Sequence, residues 1–157
     1  MTDSELAVAW VQAWSGRDPT VFAAICEPDL HYEDPLTPAP LRGPAALGDH
    51  ARRLWEAFPD VRMEAASDPL ADAARVAMPV RLLGTHTEAI EGLPPSGRPV
   101  RVHALCYAEL AGGRLHRVRT FLDVYDAGTQ LGVLPRRGTL GEKALLMLQG
   151  FGLRSRS

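Results

Sequence analysis

"PVRVHALCYAELAGGRLHRVRTFLDVYD" occupies residues 99–126. In its first half Val100, Val102, Ala104, Cys106, Ala108 and Leu110 fall on one side, with His103 and Tyr107 opposite. A two-residue period of this kind marks a half-buried β-strand. Ala111, Gly112 and Gly113 then form a hairpin connection, and "RLHRVRTFLDVYD" (114–126) resumes the period. There Val118, Thr120, Leu122 and Val124 share one face, while Arg117, Arg119, Phe121, Asp123 and Tyr125 share the other. Two long antiparallel strands are predicted.

Upstream, "ARVAMPVRLLGTHTE" (74–88) and "VRMEAAS" (61–67) continue the strand pattern, and "GLPPSG" (92–97) is a second hairpin connection. Pro79 inside a strand implies an edge or a bulge. Before Val61 the period is helical. Ser4 can cap a helix in which Leu6, Trp10 and Trp14 recur every four residues. Asp18 caps a short second helix with Pro19 at its first position. "DLHYED" (29–34) reads as a brief strand stopped by Pro35, and the proline-rich 36–44 as a loop. A third helix places Leu47, Leu54, Trp55 and Phe58 on one face. Near the C-terminus Thr139 and Glu142 form a capping box ahead of "KALLMLQ". Helices followed by a strand meander predict an α+β fold. Its curved antiparallel sheet would span about 61–126, with helices near 4–15, 19–26 and 44–58 closing its concave side over a pocket.

The chain has 157 residues, about one domain, and a formal net charge of −2, which gives no basic field for nucleic acid or an anionic membrane. No apolar run approaches the roughly 20 residues of a membrane span. "MTDSELAVAW" lacks the basic and apolar regions of a secretory signal, and Cys26 and Cys106 lie in apolar segments as reduced thiols would. A cytoplasmic protein is predicted. The five histidines show no metal-ligand spacing, and no nucleophile elbow, phosphate loop or dinucleotide fingerprint occurs.

Asp123 stands out as an acidic residue in a strand pattern, on a face with two rings and two arginines. It is either a residue of a solvated face or a functional group. His86 ends the apolar row Val76, Met78, Val80, Leu82, Gly84, where an imidazole can meet a ligand or serve a structural role. Asp34 precedes Pro35 as a turn residue would, yet also sits where the short strand would meet the pocket mouth. Trp14, Phe22, Trp55, Phe58, Met78 and Leu82 are expected to be buried around the pocket.

The pieces "YEDP", "LRGPAAL", "AFPDVRME", "GTHTEAIEGLPPSGRPV", "ELAGGRLHRVRTFLD" and "QLGVLP" run in an order that resembles the SnoaL-like polyketide cyclases, of the nuclear-transport-factor-like superfamily of cone-shaped α+β folds. The resemblance covers roughly residues 5–135. It implies a cone domain over 1–135; outside the match, the apolar residues of 136–157 suggest a helical extension packing on the body or a partner subunit of a homo-oligomer. It also implies ring closure by intramolecular aldol condensation without metal or cofactor, acting on a hydrophobic, oxygenated small molecule. One aspartate at the end of the last long strand serves that family as general acid/base, and counting from Gly113 and Gln130 places it at Asp123. This turns the Asp123 face toward the pocket, with His86 as a donor to the enolate oxygen. Cys106 stands where these cyclases tend to have histidine and Arg119 where they often have tryptophan. Both, with Phe121, become expected substrate contacts beside Asp34. The leading reading is therefore a cofactor-free cyclase, lyase or isomerase acting on such a molecule, and two others remain: epoxide opening by water activated at Asp123 with Asp34 assisting, and a non-catalytic binding protein.

Overall fold

Helix α1 (Asp3–Ser15) begins at Thr2, two residues before the expected cap. The Thr2 hydroxyl accepts from Glu5 N while the Glu5 carboxylate accepts from Thr2 N, at 3.2 and 2.6 Å. The glutamate three residues on makes Thr2 a better cap than Ser4. The computed structural model describes residues 1–148. Asp18 accepts from Thr20 N, and Pro19 opens a 3-10 turn (Pro19–Val21) that leads into α2 (Phe22–Ile25), as its sequence implies. Strand β1 (Cys26–Glu33), the two-residue β2 (Leu41–Arg42) and α3 (Gly43–Ala57) follow.

The strands β3 (Arg62–Ala65), β4 (Leu70–Ala71), β5 (Arg75–Thr85), β6 (Pro99–Ala111) and β7 (Arg114–Leu122) complete one sheet in the order β2-β1-β7-β6-β5-β3, with β4 also on β5. The sheet is curved and unclosed, and the fold is α+β as its sequence pattern requires. The hairpins β5–β6 and β6–β7 are antiparallel. One pairing departs from the antiparallel expectation. β1 is longer than "DLHYED" and lies parallel to β7, pairing Tyr32 with Val118 and Glu33 with Arg119. That pairing uses β7's otherwise open edge and turns Leu30 and Tyr32 into the core. Pro79 sits between the two short partners of β5: β3 pairs with Val80–Leu83 and β4 with Val76 and Ala77. Its missing N–H therefore falls where neither strand needs it.

The helices cover one face. Trp10, fully buried, packs edge-on to Trp14 and Phe22 at ring distances of 5.7 and 6.0 Å, and its Nε1 donates to Cys106 Sγ on β6 (3.4 Å). Trp55 on α3 donates from Nε1 to Trp14 O (2.9 Å), tying α3 to α1.

The last strand ends earlier than expected. β7 stops at Leu122, and residues expected to extend it form α4 (Val124–Leu131). Asp123 is its N-cap, accepting from Asp126 N at 3.1 Å, and Gly132 closes it at φ 78°. Helix α5 (Leu140–Leu148) keeps one arm of the expected capping box: Thr139 Oγ1 accepts from Glu142 N, while Glu142 accepts from Gly138 N. The part of the C-terminal extension over 149–157 lies outside the described residues. Among the described residues no helix is long and apolar enough to cross a membrane.

Candidate functional site

Strand β1 points Leu30 and Tyr32 inward by its two-residue alternation, and the next inward position, Asp34, falls just past its end. A turn holds Asp34 there: Leu36 N donates to Asp34 Oδ1 (2.7 Å), and Thr37 N to Asp34 O (3.1 Å). Both readings of Asp34 thus meet in one residue, a turn former whose carboxylate faces the interior. Its Oδ2 accepts from Tyr32 OH (2.8 Å) and lies 2.7 Å from His50 Nε2. His50 comes from the buried face of α3, and Arg53, one turn on, places Nη2 3.1 Å from His50 Nδ1. A guanidinium can only donate, so Nδ1 accepts. The His50 proton therefore sits on Nε2 and is given to Asp34.

Burial pushes the Asp34 carboxyl pKa up, but the hydrogen bonds from His50, the Tyr32 hydroxyl and Leu36 N outweigh it and hold it below the usual carboxylate value. Burial, then the Asp34 charge, drives the Tyr32 phenol well above its ordinary value, so it stays a donor. A carboxyl whose pKa is depressed on folding stabilises the fold above its unfolded value, about pH 4. That contribution is lost as pH falls through the folded value. Urea unfolding at pH 5 and pH 3 is expected to show a smaller loss of stability in Asp34→Asn than in the parent; an equal loss in both would separate Asp34 from the acid response.

These groups line an inner chamber of about 40 Å³ with Trp14, Thr120 and Leu82. Leu36, Leu54, Leu82, Ile90 and Leu122 border both this chamber and a larger apolar cavity of about 250 Å³. The larger cavity lies between β5, β6 and α4 and is also lined by Phe58, Val102 and Leu131. The result is one pocket with a small polar end and a wide apolar body. Among the described residues no three His, Cys, Asp or Glu side chains converge to hold a metal ion.

Of the residues expected from sequence, Trp14, Asp34 and Leu82 line the inner chamber and Phe58 and Leu82 the outer cavity. Phe22, Trp55, Met78 and Cys106 are buried but line neither. Burial drives the Cys26 thiol up to about 12 and raises Cys106 also, so both remain un-ionised. His86 is fully buried and stacks on Phe58 (5.2 Å), its Nδ1 accepting from Ser96 N (3.1 Å). It lies within the wall instead of on the cavity surface.

Asp123 requires a correction. It is exposed and borders a surface hollow with Arg98, Asp126 and Gln130, outside the pocket. Strand alternation governs only to Leu122, and in β7 it is Val118 and Thr120 that face inward. Arg119 and Phe121 are likewise on the outer face, where Arg119 Nε donates to Glu33 (2.6 Å) and the guanidinium lies over the Phe121 ring. The sequence reading missed Tyr32, His50, Arg53 and Thr120. The signal for His50 was its place with Leu47, Ala51 and Leu54 at helical spacing on α3.

The family model described as "SnoaL-like polyketide cyclase" matches residues 4–131. No curated protein matches the chain in sequence. TsrD from Streptomyces laurentii is 22% identical, covering 83% of this chain and 94% of that one, with a TM-score of 0.74. A protein of ketosteroid isomerase-like fold from Catenulispora acidiphila is 18% identical, covering 84% and 95%, with a TM-score of 0.71. A SnoaL-like polyketide cyclase from Agrobacterium tumefaciens is 21% identical, covering 84% and 99%, with a TM-score of 0.68. At these identities the likeness to solved structures is one of fold.

Proposed function

The chain belongs to the SnoaL-like polyketide cyclase family, and from that premise we propose that it is a cofactor-free acid/base enzyme acting on a hydrophobic, oxygenated small molecule, with Asp34 as the proton-transfer group. The observation that carries this reading is the Asp34 carboxylate, held by Tyr32 and His50, at the polar end of an apolar pocket.

The chemistry is removal of a proton from carbon next to a carbonyl. Asp34 Oδ1 accepts one bond, from Leu36 N, and keeps lone-pair capacity for a substrate proton. Tyr32 and His50 keep the carboxylate ionised at neutral pH and fix its direction. Such a base acts by placement more than by strength. Electrons from the broken C–H bond move into the carbonyl to give an enolate. The enolate carbon then attacks a second carbonyl, whose oxygen takes the proton back from Asp34, or is itself reprotonated by Asp34, so aldol closure and isomerisation share the first step. The apolar walls exclude water that would compete for the enolate.

2-Tetralone tests this. Its C1 protons lie between a carbonyl and an aromatic ring, and their exchange is read by NMR in deuterium oxide. The protein is expected to accelerate deuterium uptake at C1 over buffer, and excess tetralin to slow it by filling the pocket. Tight binding of 2-tetralone with no acceleration would instead favour the non-catalytic reading.

A further inference from the structure

Proton removal by Asp34 puts negative charge on the substrate oxygen, and a carboxyl held below its ordinary pKa is a weak base. The step therefore depends on what holds that oxygen. Most donors of the inner chamber are already committed. Tyr32 OH and His50 Nε2 both donate to Asp34 Oδ2, at 2.8 and 2.7 Å. The Thr120 hydroxyl donates to Cys106 Sγ (3.4 Å), and Trp14 Nε1 is closed within the wall.

Arg53 differs from these. Among the described residues it is the one arginine or lysine that lines the chamber. A guanidinium has five N–H donors. Arg53 Nη2 gives one to His50 Nδ1 (3.1 Å), while Nη1 stands 3.8 Å from Glu91 Oε1, a contact of charges beyond hydrogen-bond length. Donors therefore remain free. The side chain is also half-exposed, so a ligand can reach it. His50 touches both Arg53 and Asp34, which puts the cation one imidazole ring from the base. In a chamber of about 40 Å³, a carbonyl group that enters meets both.

We propose that Arg53 is a second catalytic residue, whose spare N–H groups hold the substrate's carbonyl oxygen as enolate charge develops on it. This rests on the reading of Asp34 as the base. As the C–H bond breaks, the proton goes to Asp34 and the electron pair to the oxygen, while Arg53 keeps its protons. Negative charge thus passes from Asp34 to an oxygen bonded to the guanidinium. A ligand body filling the apolar cavity keeps water from that pair and strengthens it.

2-Naphthol tests the proposal, because its ionised form carries an oxyanion on a flat frame like that of the 2-tetralone enolate. Its two forms absorb at different wavelengths, so absorbance reads the pH midpoint at which the bound ligand ionises. The background is Asp34→Asn, which imitates the neutral carboxyl left after proton transfer and has no base to position. There Arg53→Gln is expected to raise the midpoint by about one pH unit or more, an about tenfold loss of preference for naphtholate, as for removal of a nearby opposite charge. Arg53→Lys keeps the charge and is expected to recover about half of that shift or more. Equal midpoints with and without Arg53 would overturn the proposal, since a residue acting only through His50 on the Asp34 base could not move them. With Asp34 intact, Arg53→Gln is expected to lower kcat for deuterium uptake by 2-tetralone about 100-fold and to change KM less than about threefold, as for loss of one oxyanion donor. A kcat within about threefold of the parent would overturn it equally. Failure of the Asp34 reading is a distinct outcome: exchange would survive Asp34→Asn while the naphthol midpoint still followed Arg53.

Discussion

Asp34→Asn is expected to slow deuterium uptake at C1 of 2-tetralone by at least about 100-fold, the lower end of what a positioned general base contributes. The substitution keeps the size of the side chain and removes the proton acceptor that the reaction needs. It also disturbs the local bonds. Tyr32 OH and His50 Nε2 both donate to Oδ2, and Leu36 N donates to Oδ1. An asparagine has one acceptor, so whichever way it turns, its NH2 meets at least one donor. A stability loss of about 1–3 kcal/mol is therefore expected beside the loss of rate, as for other buried unmatched donors. The two effects are separable, because exchange is measured well below the unfolding temperature and urea unfolding reports the folded fraction. A rate within a few-fold of the parent would remove Asp34 from the chemistry.

Trp10→Ala is expected to have the largest effect on stability. Trp10 is fully buried against Trp14, Phe22 and Tyr32, and its Nε1 reaches Cys106 Sγ, joining α1 to the middle of β6. Truncating a buried tryptophan costs about 3–5 kcal/mol through lost burial and the cavity left behind. That is a large part of the roughly 5–15 kcal/mol that holds a domain folded. The unfolding temperature should fall on the order of 10 °C at this chain length. Urea unfolding followed by circular dichroism measures it; a loss below about 1 kcal/mol would mean that the core closes over the gap.

The meander was legible because its strands alternate cleanly and its hairpins carry glycine or proline. Leu6, Trp10 and Trp14 announced α1 in the same way. Helix α4 was hidden by Val124 and Tyr125, which continue the two-residue period past Leu122 although Asp123 and Gly132 bracket a helix. Arg119, Phe121 and Asp123 were turned inward by the family resemblance, whereas their own alternation left the face open. Phe22, Trp55 and Met78 read correctly as buried, but burial alone does not tell a core residue from one bordering empty space. The Asp34–His50 pair joins a strand end to a helix 16 residues later, a meeting that depends on how α3 packs on β1. Tyr32 and Asp34 two apart, and His50 on an apolar helix face, were the local traces of it.

Proton transfer is thus assigned to the interior Asp34, and the exposed Asp123 serves as a helix cap. The most direct measurement is the rate of deuterium uptake by 2-tetralone in Asp34→Asn and Asp123→Asn, side by side under one set of conditions. Asparagine caps a helix about as well as aspartate, so Asp123→Asn should leave α4 in place. The Asp123→Asn rate is expected to match the parent and the Asp34→Asn rate to fall to the buffer background. Loss of exchange in Asp123→Asn with the parental rate in Asp34→Asn would contradict this assignment.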